Sequence, residues 1–155
     1  MSLRSKLTAA AGAATLGLAA VVVANYEGLR TSAYLDPVGI PTICYGHTAT
    51  ARMGQALSQA ECDRLLEGDL GEALAAVDKL VKVPLPVERR AALASFAYNV
   101  GAGQLAGSTL LRKLNAGDAD AACAELSRWV YAKGRKLPGL ERRRASEREL
   151  CEVGL

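Results

Sequence analysis

The 155-residue sequence has no C-x-x-C pair, no nucleic-acid-binding signature, no internal repeat and no interdomain linker. The first absence removes zinc ribbons and thioredoxin-type redox motifs, and the second removes the common DNA- and RNA-binding modules. The last two, with the length, leave one domain with a real core. Net charge is only +3, so the total does not demand a polyanionic partner. Yet Arg128, Lys133, Arg135, Lys136, Arg142, Arg143, Arg144 and Arg148 crowd the last thirty residues. The plain reading of that cluster is a solvated helix face, and the alternative is attraction to an anionic polymer such as cell wall. No nucleic-acid partner, cofactor or metal is expected.

Half of the residues are hydrophobic, and the longest apolar run is at the N-terminus. Residues 7–24, LTAAAGAATLGLAAVVVA, carry no charge and follow Arg4 and Lys6. As a helix they span about 27 Å, barely the hydrocarbon thickness of a bilayer. Eight are Ala, two Gly and two Thr, with only three Leu and three Val. Those six contribute about −2 to −3 kcal/mol to insertion, so the segment can enter a membrane and can leave it. Three readings stand: an uncleaved signal-anchor helix (1–24) before a domain of residues 25–155, a signal peptide cleaved after Val22-Val23-Ala24, and a helix of a soluble core. Cleavage would leave Glu27 beside a loose terminus, a poor place for a positioned group. As an anchor, the segment would sit in the host inner membrane with the tail of Arg4 and Lys6 inside and the rest in the periplasm.

Cys44, Cys62, Cys123 and Cys151 form an even set. They would be thiols in a reducing compartment, and in an exported protein two bridges with three possible connectivities. The preferred one, Cys44–Cys62 with Cys123–Cys151, joins neighbours along the chain.

Tyr34 to Tyr45, with Pro37-Val-Gly-Ile-Pro41 at its centre, reads as a small hairpin. Ser58-Gln-Ala-Glu61 is a capping box opening a long helix with Cys62, Leu66, Leu70 and Val77 on one face, ended by Pro84 and Pro86. A second helix runs from Val87 to Val100 and stops at Gly101 and Gly103. Shorter helices fit 108–115, 120–131 and 140–151, making the C-terminal half all helical. The class is α+β, mostly helical.

Glu27, Asp36, Thr42, Tyr45 and His47 fall on a helix end and the following hairpin. Two carboxylates held by a rigid turn suit glycosidic cleavage, one donating a proton to the leaving oxygen and the other supporting water or positive charge. After an apolar run, Glu27 is expected in a drier setting that raises its pKa and fits it to be the acid, while Asp36 in a polar turn stays ionised.

The stretch Glu27-Gly28, Tyr34-Leu-Asp36-Pro-Val-Gly39-Ile-Pro-Thr42-Ile-Cys-Tyr45-Gly46-His47 resembles the signature of the phage-type lysozymes, glycoside hydrolase family 24. In that pattern Glu precedes Asp by eight intervening residues, and Asp precedes Thr by five. The resemblance implies a hairpin lobe, a long connecting helix and a helical C-terminal lobe. It implies hydrolysis of the β-1,4 bond between N-acetylmuramic acid and N-acetylglucosamine in peptidoglycan strands by Glu27, Asp36 and Thr42, for host lysis. Asp36 and Thr42 would hold the attacking water opposite Glu27, giving inversion, with the carboxyl groups about 6.5–9.5 Å apart. It also implies a structural ion pair between His47 and Asp69, so that the lone histidine is not catalytic.

Ser95-Phe-Ala-Tyr-Asn99-Val-Gly101-Ala-Gly103 is similar to the family's helix facing the cleft, with Asn99, like Tyr45, a candidate sugar contact. Arg128-Trp129 and Gly139-Leu140 before Arg142-Arg143 also match, Trp129 reading as core. Cys44 replaces a common Gly, and with the other cysteines and the weak N-terminal helix resembles the signal-anchor-release endolysins. Those are held inactive in the membrane by the N-terminal helix and act once it leaves. The active form is expected as a monomer. A lytic transglycosylase, which needs no positioned water, and a non-enzymatic wall-binding protein are the alternatives.

Overall fold

The computed structural model describes residues 2–155, the side chains of residues 4, 5, 7 and 8 aside, so the expected role of Arg4 lies outside the described residues. Helix α1 is one unbroken element, Leu3–Glu27, and the expected boundary at residue 24 falls inside it. Its buried residues are Thr15, Ala19 and Val23, all at 0% exposure and four apart. This is one row of a helix surface, which packs against α2 (Gln59–Leu80) and α3 (Val87–Val100). Ala19 meets a cluster containing Ala91 and Ala94, small residues that let helices approach closely. The opposite face stays apolar and open, with Val21 70% exposed. Among the described side chains of α1, only the stripe of Thr15, Ala19 and Val23 is fully covered.

The hairpin consists of β1 (Arg30–Leu35) and β2 (Pro41–Cys44), antiparallel with Tyr34 opposite Thr42 and an irregularity between Arg30 and Tyr34. The capping box of α2 is formed: Glu61 N–H donates to Ser58 Oγ at 3.2 Å and Ser58 N–H to Glu61 Oε2 at 2.7 Å. Helix α3 is buried continuously from Ala91 to Ala97, Ser95 included, and packs against α1, α2 and α7 as the hub of the molecule.

The C-terminal half departs from the all-helical expectation. After α4 (Ala102–Ala106), α5 (Thr109–Asn115) and α6 (Ala119–Glu125), the expected helix 120–131 gives way to a 3-10 turn, Leu126–Arg128. A short hairpin follows, β3 (Tyr131–Ala132) and β4 (Arg135–Lys136), before α7 (Pro138–Cys151). Lys133 and Gly134, at φ 51 and 75, make its two-residue loop. Both centres lie in the left-handed region that such a tight turn requires, and Lys-Gly is a weaker signal for it than Asn-Gly. Both preferred disulfides are present, Cys44–Cys62 joining β2 to α2 and Cys123–Cys151 joining α6 to α7. Trp129 meets Phe96 edge-on with ring centroids 5.2 Å apart, against the core, as expected.

Candidate active site

Glu27 is the last residue of α1 and continues the buried row of Thr15, Ala19 and Val23 by another four residues. Docking that row against α3 therefore also aims the Glu27 side chain. Gly28, at φ 70, ends the helix. Tyr26 secures the same end to α7, its hydroxyl lying 3.0 Å from the Arg142 carbonyl and 2.5 Å from Ser146 Oγ.

The Glu27 carboxylate is about a quarter exposed and accepts a 2.7 Å hydrogen bond on Oε1 from Arg143 Nη1. Its Oε2 faces Gly46, where a Cβ would lie 3.2 Å away. The dry apolar setting expected from the sequence is thus not what surrounds it: a buried guanidinium stands on one side and open cleft on the other. A cavity of about 450 Å³, lined by Gly46, His47, Asp69, Glu72, Tyr98 and others, opens on one side of Glu27. A second, of about 710 Å³, opens on the other, lined by Tyr26, Pro138, Arg142 and Arg143 among others. Glu27 and Asn99 line both. Glu27 is thus open to both cavities.

Asp36 occupies the hairpin tip and Thr42 its second strand; neither lines those cavities. Asp36 Oδ1 accepts the backbone N–H groups of Val38 (2.9 Å) and Ile40 (2.8 Å), which fixes the turn around Gly39. Thr42, 4% exposed, donates its hydroxyl proton to the Ile40 carbonyl at 3.0 Å. Tyr45 does not enter the cleft: it is 8% exposed and its hydroxyl donates to Asp63 at 2.9 Å. That bond, with burial, holds its phenol above the usual range. Tyr45, expected as a sugar contact, lines neither cavity and instead packs in the cluster that holds Ala19, Val23 and Leu66. Tyr98, which carried no sequence signal of its own, stands in the cleft instead. Its hydroxyl donates to the Tyr45 carbonyl at 2.5 Å, and burial and the Glu27 charge push its pKa far above the ordinary phenol. It remains a neutral donor.

His47 and Asp69 pair as expected, Nδ1 to Oδ2 at 2.7 Å. On the other side of the ring, Nε2 lies 2.7 Å from Thr50 Oγ1. The His47–Asp69 contact ties the segment following β2 to α2.

The phage lysozyme family model matches residues 24–147, a span that holds Glu27, Asp36, Thr42, His47, Asp69, Tyr98 and Arg143. The chain belongs to the phage lysozyme family. A SAR-endolysin of bacteriophage PS119 is 42% identical over 160 residues, covering 99% of this chain and 96% of the relative. Among solved structures, the muramidase domain of SpmX from Asticaccaulis excentricus matches with TM-score 0.82 and 35% identity, covering 87% of this chain and 95% of that one. An endolysin from Escherichia coli O157:H7 phage FAHEc1 matches with TM-score 0.79 and 30% identity, over 89% and 92%. This phage lysozyme is of the SAR-endolysin subgroup, a peptidoglycan-degrading enzyme of host lysis. Among its described residues no cluster of His, Cys, Asp and Glu is arranged to hold a metal. Its basic C-terminal cluster is not one solvated face, because Arg143 and Arg144 are buried at 3% and 1% exposure.

Proposed function

We propose that the enzyme cleaves the β-1,4 bond between N-acetylmuramic acid and N-acetylglucosamine with water as acceptor, as a monomer. Glu27 gives its proton to the leaving oxygen. Its position at the junction of the two cavities carries this reading, because it puts one carboxyl beside the middle of a bound strand. Asp36 and Thr42 hold the water. With its proton committed to the Ile40 carbonyl, the Thr42 oxygen can only accept, which suits a water whose lone pair must stay free for attack. That argues against transglycosylation, in which the sugar's own hydroxyl closes on the anomeric carbon. Inversion implies a carboxyl separation of about 6.5–9.5 Å in the working enzyme. Mass analysis of digested peptidoglycan tests the reading: hydrolysis products exceed anhydro products by one water. Glu27→Gln should fold and be inactive, and near-wild-type activity of that variant would overturn the assignment.

The N-terminal helix controls activity by location. Ala9–Glu27 is long and apolar enough to span a bilayer, with a mean hydropathy of 1.6 over its best window, only 17% of it buried in the folded protein. While it lies in the membrane, N-terminus inside, its stripe cannot pack on α3, so Glu27 is not aimed into the cleft. Thr15 suits both states, since its hydroxyl is satisfied within the helix by the Ala11 carbonyl at 2.8 Å. Release into the periplasm completes the site.

A further inference from the structure

Behind the cleft, α7 carries three buried charges at successive and one-turn spacing, Arg143, Arg144 and Glu147, exposed by 3%, 1% and 0%. Glu147 stands at the centre. Its Oε1 accepts from Arg143 Nε at 3.2 Å and from the Ser95 hydroxyl at 2.8 Å, and its Oε2 accepts from Arg144 Nη1. Each arginine uses its remaining nitrogens elsewhere. Arg143 Nη1 reaches Glu27, and Nη2 reaches the Ser95 carbonyl at 3.3 Å. Arg144 Nε donates to the Trp129 carbonyl at 2.9 Å, and its Nη2 donates to Asn99 Oδ1. Guanidinium nitrogens only donate, so the Asn99 carbonyl oxygen must face Arg144 and its NH₂ is left for the groove. Glu147 thus sits one residue removed from the candidate acid and one removed from a candidate sugar donor.

Resting on the lysozyme reading above, we propose that Glu147 is a positioning residue: one buried carboxylate orients two guanidiniums, directing Arg143 onto Glu27 and Arg144 onto Asn99. Truncating a buried carboxylate between two cations leaves them uncompensated. From α3 Glu147 meets the Ser95 hydroxyl and from α7 the two arginines, while from α1 Glu27 lies beyond Arg143. With Glu147 neutralised, Arg143, the guanidinium that touches Glu27, keeps its charge without the carboxylate that compensates and orients it.

The test uses the full oxidised chain on soluble glycan fragments, with circular dichroism as the folding control. Glu147→Gln is expected to fold, to lose roughly tenfold or more in kcat, as small misplacements at a reacting centre do. Its KM should rise as well, because Arg144 is no longer held on Asn99, with the larger loss in kcat. The alkaline limb of its pH profile should move to lower pH. Glu147→Gln with Arg144→Met removes one charge of each sign. It should return the alkaline limb towards wild type and raise KM, because Asn99 loses its partner. A folded Glu147→Gln with wild-type kcat and pH profile overturns the proposal, as does activity lost only in proportion to the unfolded fraction. If the single variant does not fold, Glu147→Asp decides, and a folded Glu147→Asp with wild-type kcat, KM and pH profile overturns the proposal. A Glu27→Gln control that stays active would instead sink the lysozyme reading itself.

Discussion

Gly46 lies against Glu27 so closely that a Cβ at position 46 would stand 3.2 Å from Oε2, and 3.8 Å from the Tyr98 hydroxyl. The residue is also at φ 85, a conformation in which L side chains are strained. Gly46→Ala should therefore cost about 1–3 kcal/mol of stability. It should also push the carboxylate off its Arg143 contact. Thermal melting and glycan hydrolysis measured together check this, and an alanine variant of unchanged activity would show that Glu27 tolerates displacement.

Cys44 holds φ 62, in the same left-handed region, where the family commonly has Gly. The disulfide to Cys62 closes a loop over a sequence separation of 18, and Cys123–Cys151 one over 28. Loop entropy gives each about 3–4 kcal/mol. Cys44→Ser with Cys62→Ser loses that stabilisation and keeps the backbone strain. Cys44→Gly with Cys62→Ser loses the same bridge and relieves the strain, so it should melt higher than the Ser pair. Equal melting temperatures would mean that the left-handed backbone costs nothing here.

Glu125 is nearly buried and accepts a 2.6 Å bond from Lys113. That hydrogen bond first, then the charge of Arg128, hold its carboxyl below the usual range against the cost of burial. A depressed folded pKa contributes stability that is present above the unfolded value and lost as pH falls through the folded one. Melting temperature should therefore fall below about pH 4.3. Lys113→Met should be less stable than wild type at neutral pH, with the difference shrinking in acid. A gap independent of pH would assign the loss to packing.

The element order was readable where local rules act alone. The Ser58 capping box and the Cys62–Val77 face lie where α2 begins and packs, whereas α2 ends at Leu80, before Pro84, and Pro86 caps the start of α3. The spacing of Glu27, Asp36 and Thr42 pointed to a site through its resemblance to a family pattern, but the setting of these residues was not legible. The partner of Glu27 is Arg143, 116 residues away, and no local pattern pairs them. The place of Tyr98 beside Glu27 depends on the packing of α3, and that of Tyr45 on its bond to Asp63, neither of which a local pattern shows. The β3–β4 hairpin was missed because four paired residues produce no periodicity.

The two faces of α1 should respond oppositely to bulk. A Cβ at Gly12 or Gly17 meets nothing within 4 Å, so leucines there fit the folded enzyme while adding apolar surface for the membrane. Gly12→Leu with Gly17→Leu should delay lysis in cells and leave the purified soluble enzyme near wild-type activity. Ala19 is fully buried in the cluster that holds Ala91 and Ala94, and a large side chain there cannot be accommodated without separating the helices. Ala19→Phe should therefore strengthen insertion as well, but the released protein should stay poorly active, because Glu27 two turns further along the same row is no longer aimed into the cleft. Fractionation separates membrane-held from released protein, and activity per released molecule distinguishes the variants. Full activity of released Ala19→Phe would show that docking of this stripe does not position Glu27.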